Sequence, residues 1–454
     1  MNHGVKESTF RKRAAAALKD KGLRAAMRAS TDMFAVKRAQ GLAGLPLDEW
    51  RDHASGVRLH VLDNLPELLD RFSARATSAG AVVHRAKDAQ TARETVADLL
   101  RDRGVERIVK SKSMVTEEIH LNPHIEALGM EVVETDLGEY IVQLAQEPPS
   151  HILAPAIHKT RFDVGRLFAE KLGVPYSDDP TVLTAIARRA LREKFLAAQA
   201  GISGANFAIA ETGSLVIFTN EGNGRMATTL PRLHIAVLTI EKLLPSWREL
   251  PAFTRLLPRS ASGQSLSSYL SVITGTRKPG ENTGASELHI VLLDNGRTEI
   301  LAGEFREILK CIRCSACLNV CPVYRLVGGH AYASTYSGPM GIVLTALLDG
   351  LKPATEILDA TTLCGACSDA CPVRVPLVAL LRKLREHRAL EGFGSSVERA
   401  GMGFFGTVTG SPVMFECARA AMRLGWPLLK ALPGNEAMGR LPRPDEVTLG
   451  KRLK

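Results

Sequence analysis

A chain of 454 residues, 45% hydrophobic and 23% charged, is long enough for two to four folded domains and has the make-up of an ordinary globular protein. No run of about 18 or more uncharged apolar residues occurs, which argues against a membrane-spanning helix. The net charge of +10 is concentrated near the start, where Lys6, Arg11, Lys12, Arg13, Lys19, Lys21, Arg24 and Arg28 are opposed by Glu7 and Asp20; with no recognition motif beside it, this excess describes a solvated or partner-facing helix and not a nucleic-acid reader.

From Met1 to Phe72 the pattern is helical, through Phe10–Ala14 onward, Asp48–Arg51 and Val61–Phe72, and predicts a basic helical arm over residues 1–72. Its start, Met1-Asn2-His3-Gly4, lacks the apolar stretch of a secretory signal, and Glu7 and Asp20 speak against a transit peptide. Between residues 73 and 297 strand-like runs alternate with helical stretches: Ala81–His84, Arg107–Lys110, Glu131–Glu134, His151–Ala154, Leu215–Phe218, Ile235–Leu238 and His289–Leu293. That alternation predicts an α/β domain with a largely parallel sheet.

Lys110-Ser111-Lys112-Ser113 ends one of these strands and precedes a helix, where free backbone N–H groups and the helix dipole favour a carboxylate or phosphate. Capping by Ser113 or Thr116, with Glu117 in the first turn, accounts equally well for the hydroxyls but not for the two lysines. Gly201–Ser214 offers small residues and Glu211 beside Thr212-Gly213-Ser214, and its plainer reading is a tight turn before a buried strand. Gly222-Asn223-Gly224-Arg225-Met226-Ala227 fits G-x-G-x-x-A after a strand, yet Thr228, Thr229 and Pro231 follow at once, so no dinucleotide-binding helix is expected. His120, His158 and His330 form no pair at metal-ligand spacing, and no second metal site is expected from them.

Residues 298–395 carry seven of the eight cysteines, as Cys311-x2-Cys314-x2-Cys317-x3-Cys321-Pro322 and Cys364-x2-Cys367-x3-Cys371-Pro372. This is ligand spacing for two iron–sulfur clusters, in which the cysteine before proline serves the other cluster. Zinc would use paired C-x2-C knuckles, and a disulfide framework belongs to short secreted chains. By the crossed rule Cys311, Cys314, Cys317 and Cys371 hold one [4Fe–4S] cluster, leaving Cys321, Cys364 and Cys367 for the other. Thr361 stands where that second motif lacks its first cysteine. The second cluster is therefore [3Fe–4S], or [4Fe–4S] completed by water, an oxygen side chain or the remote Cys417, which reads better as a small buried residue within Val413–Ala418. Oxygen-sensitive clusters predict a reducing, cytoplasmic setting.

Gly338–Leu344 opens a helix expected to pack against the clusters, and Val375–Leu390 reads as a basic amphipathic helix. Residues 396–454 contain an apolar-rich helical tail, Phe404–Leu432, suited to docking on its own protein or a partner subunit more than on lipid.

The stretches Val109–Asn122, Glu134–Ile141, His151–Thr160 and Gly201–Ser214, with the cysteine spacing, resemble the lactate utilization protein B family. The resemblance runs over nearly the whole chain and includes the basic arm and the missing first cysteine of the second motif. It implies a LUD domain folded like the NagB/RpiA/CoA-transferase superfamily, joined to an α-helical, ferredoxin-like two-cluster module. It further implies an iron–sulfur subunit of a three-protein system oxidising L-lactate to pyruvate. On that reading the chain is an electron-transfer component of a dehydrogenase-type complex and not a stand-alone catalyst, passing electrons to a further acceptor. In a CoA-transferase-like fold a glutamate such as Glu211 can act as nucleophile. The alternative function is a LUD protein that binds a small acid or acyl-CoA, with clusters that sense redox state.

Overall fold

The computed structural model describes residues 9–393 and 396–431. Lys6 and Glu7 of the basic stretch, and Leu432 at the end of the expected tail helix, lie outside the described residues. Residues up to His387 form one compact unit and those from Arg388 a second.

The first unit opens with helices α1 (Phe10–Lys19), α2 (Lys21–Leu42), α3 (Leu47–Asp63) and α4 (Leu65–Ser78). Asp20 both ends α1 and starts α2: its backbone N–H bonds back to Ala16 and Ala17, while its carboxylate accepts the Leu23 N–H at 2.9 Å. The basic side chains divide. Arg11, Lys12, Lys19, Lys21, Arg24 and Arg28 are exposed, whereas Arg13, Arg38 and Arg51 donate to the carbonyls of Ala331, Ala370 and Cys371 at 2.8, 3.1 and 2.9 Å. The helices thus also grip the cysteine region, which a purely solvated face would not do.

The strands among the described residues are β1 (Val82–Ala86), β2 (Arg107–Lys110), β3 (Glu131–Glu134), β4 (Ala200–Ser203), β5 (Phe207–Ile209), β6 (Ser214–Thr219), β7 (Leu233–Thr239), β8 (Leu243–Leu244), β9 (Tyr269–Ile273) and β10 (Glu287–Leu293). Six form a parallel sheet in the order β1-β10-β7-β4-β2-β3. Every residue of β7 is buried, as are those of β10 after Glu287, the pattern of central parallel strands covered on both faces. Burial of Ile235, Val237 and Val291 contributes roughly 1.5–3 kcal/mol each. At Gly201 a Cβ would lie 1.8 Å from the Ala227 carbonyl oxygen, so only glycine lets the helix Asn223–Thr229 rest on β4.

Three sequence expectations need correction here. His151–Ala154 is not a strand: Ser150 N–H closes a turn on the Pro155 carbonyl, and His151 Nδ1 takes the N–H groups of Leu153 and Ala154 at 3.0 and 3.1 Å, donors a ladder would need. Leu215–Phe218 lies in a second sheet, β8-β5-β6-β9, which is antiparallel apart from the β5/β8 pair. Gly222–Ala227 does open a helix, Asn223–Thr229, but it has seven residues and Pro231 follows its last turn.

After β10 no strand occurs among the described residues, and the cysteine region is built from short helices around Gly338–Leu348, buried from Gly338 through Ala346. In the second unit Ser396–Thr409 and Pro412–Ala431 pack against each other. Cys417 is exposed there instead of buried among apolar neighbours. No helix among the described residues is long and apolar enough to cross a membrane.

Candidate metal centre

The two cysteine motifs share one backbone course. Left-handed residues flank the second cysteine position in each: Arg313 and Ser315, both at φ 59°, around Cys314, and Leu363 (φ 55°) and Gly365 (φ 93°) around Cys364. A five-residue helix follows, Ala316–Val320 or Ala366–Ala370, and ends on the cysteine before proline, where φ/ψ is −73°/119° at Cys321 and −70°/118° at Cys371. Left-handed conformations cost a non-glycine residue roughly 1–2 kcal/mol, and here they curl the chain so that successive N–H groups point inward.

Cys311, Cys314, Cys317 and Cys371 line one small cavity with Ser315, Met340 and Val375. Burial pushes the thiols of Cys314, Cys317 and Cys371 upward, and repulsion within this set of four pushes them further. Cys321, Cys364 and Cys367 form the second group: burial raises Cys321 and lifts Cys367 to about 11, with Cys364 adding to both. Backbone donors face the sulfurs. Arg313 N–H reaches Cys311 Sγ at 3.4 Å and Val375 N–H reaches Cys371 Sγ at 3.3 Å, while Ala316, Met340, Ala366 and Ser368 serve Cys314, Cys317, Cys364 and Cys367.

The surroundings of the two groups differ. Arg38, Arg51, Arg58 and Arg313 direct positive charge at the enclosed set, and Lys242, whose ammonium burial lowers to about 7, lies beside Cys311. Cys364 is exposed, and the Thr362 hydroxyl and Ala366 N–H hold its thiol below the ordinary value. Crowded thiols supplied with inward N–H donors, and buried cations beside the enclosed four, are a donor set that fits iron–sulfur cubes bound through thiolates.

The loops of the α/β domain behave differently from one another. Lys110 is buried, and its Nζ bonds Glu134 at 2.7 Å, Thr116 at 2.8 Å and Glu117 at 2.9 Å. Against the cost of burial these two carboxylates hold the ammonium above its usual range, so its charge is already neutralised. Ser113 caps the Thr116 N–H at 3.4 Å. Lys112 Nζ and Glu139 Oε1 lie 3.7 Å apart and neither has a hydrogen bond; burial lifts Glu139 to about 8. Glu211 is exposed and accepts the Trp247 N–H at 3.1 Å, capping a turn. The Gly-rich segment meets the lysine loop through Gly204, whose Cβ would lie 2.6 Å from Ser113 Oγ, and not through Glu211.

Some juxtapositions were invisible in linear spacing. His158 Nε2 lies 2.7 Å from Glu147 Oε2, and the rings of His158 and His330 are 4.5 Å apart, so the fold gathers histidines that the sequence separates. Lys159 Nζ also holds Glu147, at 2.8 Å, and supplies the charge a cation would bring. His151, which burial pushes down to about 3, donates through Nε2 to Asn319 Oδ1 at 3.0 Å, tying the α/β domain to the helix Ala316–Val320.

A LUD domain model matches residues 69–293, and a 4Fe-4S dicluster domain model matches residues 307–375. A protein named Lactate utilization protein B from Lysinibacillus sphaericus is 45% identical over 415 residues, covering 90% of this chain and 87% of that relative. One of the same name from Shouchella clausii is 44% identical over 416 residues, with 91% and 87% covered. Another, from Macrococcus caseolyticus, is 46% identical over 390 residues, with 86% and 81% covered.

Proposed function

The chain belongs to the lactate utilization protein B family, and from that premise we propose that it is the iron–sulfur electron-transfer subunit of a multi-protein system oxidising L-lactate to pyruvate. The observation that carries this reading is the division of seven cysteines into one enclosed set and one that reaches the surface at Cys364. Cys311, Cys314, Cys317 and Cys371 would hold a [4Fe–4S] cluster, and Cys321, Cys364 and Cys367 a second, either [3Fe–4S] or [4Fe–4S] with a non-cysteine fourth ligand. Bound there, such clusters supply one-electron transfer.

The protein's own groups do the rest. Inward N–H donors stabilise negative charge on the sulfurs, and Arg58 and Arg313 offset it in the enclosed set. Met340, Val373, Val375 and Leu377 wall that set from water. Taking a hydride equivalent from a 2-hydroxy acid requires a two-electron acceptor, which we assign to a partner subunit. The test is lactate oxidation by the purified complex containing wild-type chain, Cys314→Ser or Cys364→Ser. Electron output should fall in both variants, and unchanged output overturns the proposal.

A second reading, a small-acid- or acyl-CoA-binding domain with redox-sensing clusters, draws on the partly buried Lys112 and the buried Glu139, whose Nζ and Oε1 lie 3.7 Å apart without a hydrogen bond. Calorimetric titration of the anaerobic chain alone with lactate, pyruvate and CoA esters separates the two. Tight direct binding favours the second reading.

A further inference from the structure

We propose that the Thr361 hydroxyl oxygen is the fourth ligand of the second cysteine set, so that one iron of the cluster held there is bound through oxygen instead of sulfur. This rests on the reading that Cys321, Cys364 and Cys367 hold a cluster. The second cysteine motif repeats the backbone bonds of the first. Leu318 N–H bonds Ser315 O at 2.9 Å, as Ser368 N–H bonds Gly365 O at 2.9 Å. Asn319 and Asp369 N–H bond the same two carbonyls, both at 3.2 Å. Cys321 N–H reaches Leu318 O at 3.1 Å, and Cys371 N–H reaches Ser368 O at 3.2 Å.

The match extends to the position where the sequences differ. Arg313 N–H donates to Cys311 Sγ at 3.4 Å, and Leu363 N–H donates to Thr361 Oγ1 at 3.1 Å. The hydroxyl therefore takes the sulfur's place in the turn. Cys311 lines its cavity with Cys314, Cys317 and the crossed Cys371. By the same turn, Thr361 Oγ1 holds in the second motif the place that Cys311 Sγ holds in the first. Arg385 pins the turn by donating to the carbonyls of Leu358 and Thr361 at 3.1 and 3.2 Å. Among the described residues the Leu363 N–H is the hydroxyl's one hydrogen-bond partner, which leaves an oxygen lone pair for a metal. Thr361 is half-buried beside the exposed Cys364, so this corner is within reach of solvent.

A hydroxyl binds iron less firmly than a thiolate does, and the oxygen-bound iron should be the one that leaves. With a one-electron oxidant such as ferricyanide and a chelator present, [4Fe–4S]2+ gives one electron to the oxidant and one Fe2+ to the chelator, leaving [3Fe–4S]+. The experiment compares wild-type chain, Thr361→Val, Thr361→Ser, Thr361→Cys and Cys417→Ser, purified anaerobically, by iron and sulfide analysis with EPR. Wild type and Thr361→Ser should carry about eight irons and lose about one on oxidation. Thr361→Val should be isolated with about seven and a [3Fe–4S] signal, and Thr361→Cys should keep all of its iron under the oxidant. An unchanged first-cluster signal in each variant shows that the fold is intact. Thr361→Val that matches wild type, or Cys417→Ser isolated already short of one iron before oxidation, overturns the assignment. Wild-type chain devoid of cluster iron overturns the proposed function itself, a separate outcome.

Discussion

Replacing Arg58 by methionine should destabilise the chain by about 3–5 kcal/mol. Arg58 lies on α3, is fully buried, and donates to the carbonyls of Leu243, Leu309 and Lys310 at 3.0, 3.0 and 3.2 Å and also to that of Glu241. One guanidinium therefore joins the amino-terminal helices, the α/β domain and the segment leading into Cys311. Charge-assisted bonds contribute roughly 1.5–3 kcal/mol each, but four of them do not add. Burial pulls the guanidinium down to about 10, so removing the cation recovers part of its desolvation cost. Methionine fills much of the space, which keeps the cavity contribution small and leaves the unsatisfied carbonyls to dominate. Arg58→Lys keeps the charge without the planar fork and should cost about 2 kcal/mol. Anaerobic urea unfolding followed by far-UV circular dichroism measures both variants, with iron release as a second readout. A methionine variant within about 1 kcal/mol of wild type would refute the reasoning.

Lys110→Met should cost about 3–5 kcal/mol in the same assay, because Glu134 and Glu117 lose their shared cation; a small change would mean that the lysine is not a structural tie. Burial pushes His234 from its ordinary 6.5 to about 4, so as pH falls the unfolded chain takes the proton first. Its contribution is complete above about pH 6.5 and is lost as pH falls towards 4, by about 2 kcal/mol at pH 5. Urea titrations at pH 7, 6 and 5 should show that slope, and His234→Gln should flatten it. Cys364→Ser should alter the EPR of the second cluster and spare that of the first, with Cys314→Ser doing the reverse; identical spectral changes would argue against two separate sets.

The cysteine region was legible as a 4Fe-4S dicluster domain because its cysteine spacing is local, and Thr361, where the second motif has no cysteine, is visible beside its repeat. Periodicity also read most central strands correctly, since Ile235–Leu238 and His289–Leu293 are buried on both faces. It failed where side chains capture backbone groups, as His151 does, and at β4, whose Ala-Gly-Ile-Ser becomes a strand only by pairing with β2 and β7. The lysine loop misled for a related reason. Glu134, which neutralises Lys110, lies on the neighbouring strand and is distant in sequence. Arg58 and the His158–His330 contact were likewise hidden, because partners so far apart along the chain leave no spacing pattern to read.

The central claim is that electrons from lactate pass through this chain's clusters, and anaerobic EPR of the chain mixed with its partner subunits and L-lactate tests it most directly. Reduced-cluster signals should appear with lactate and partners together and not with lactate alone. Pyruvate formed at full rate while both clusters stay oxidised would contradict it.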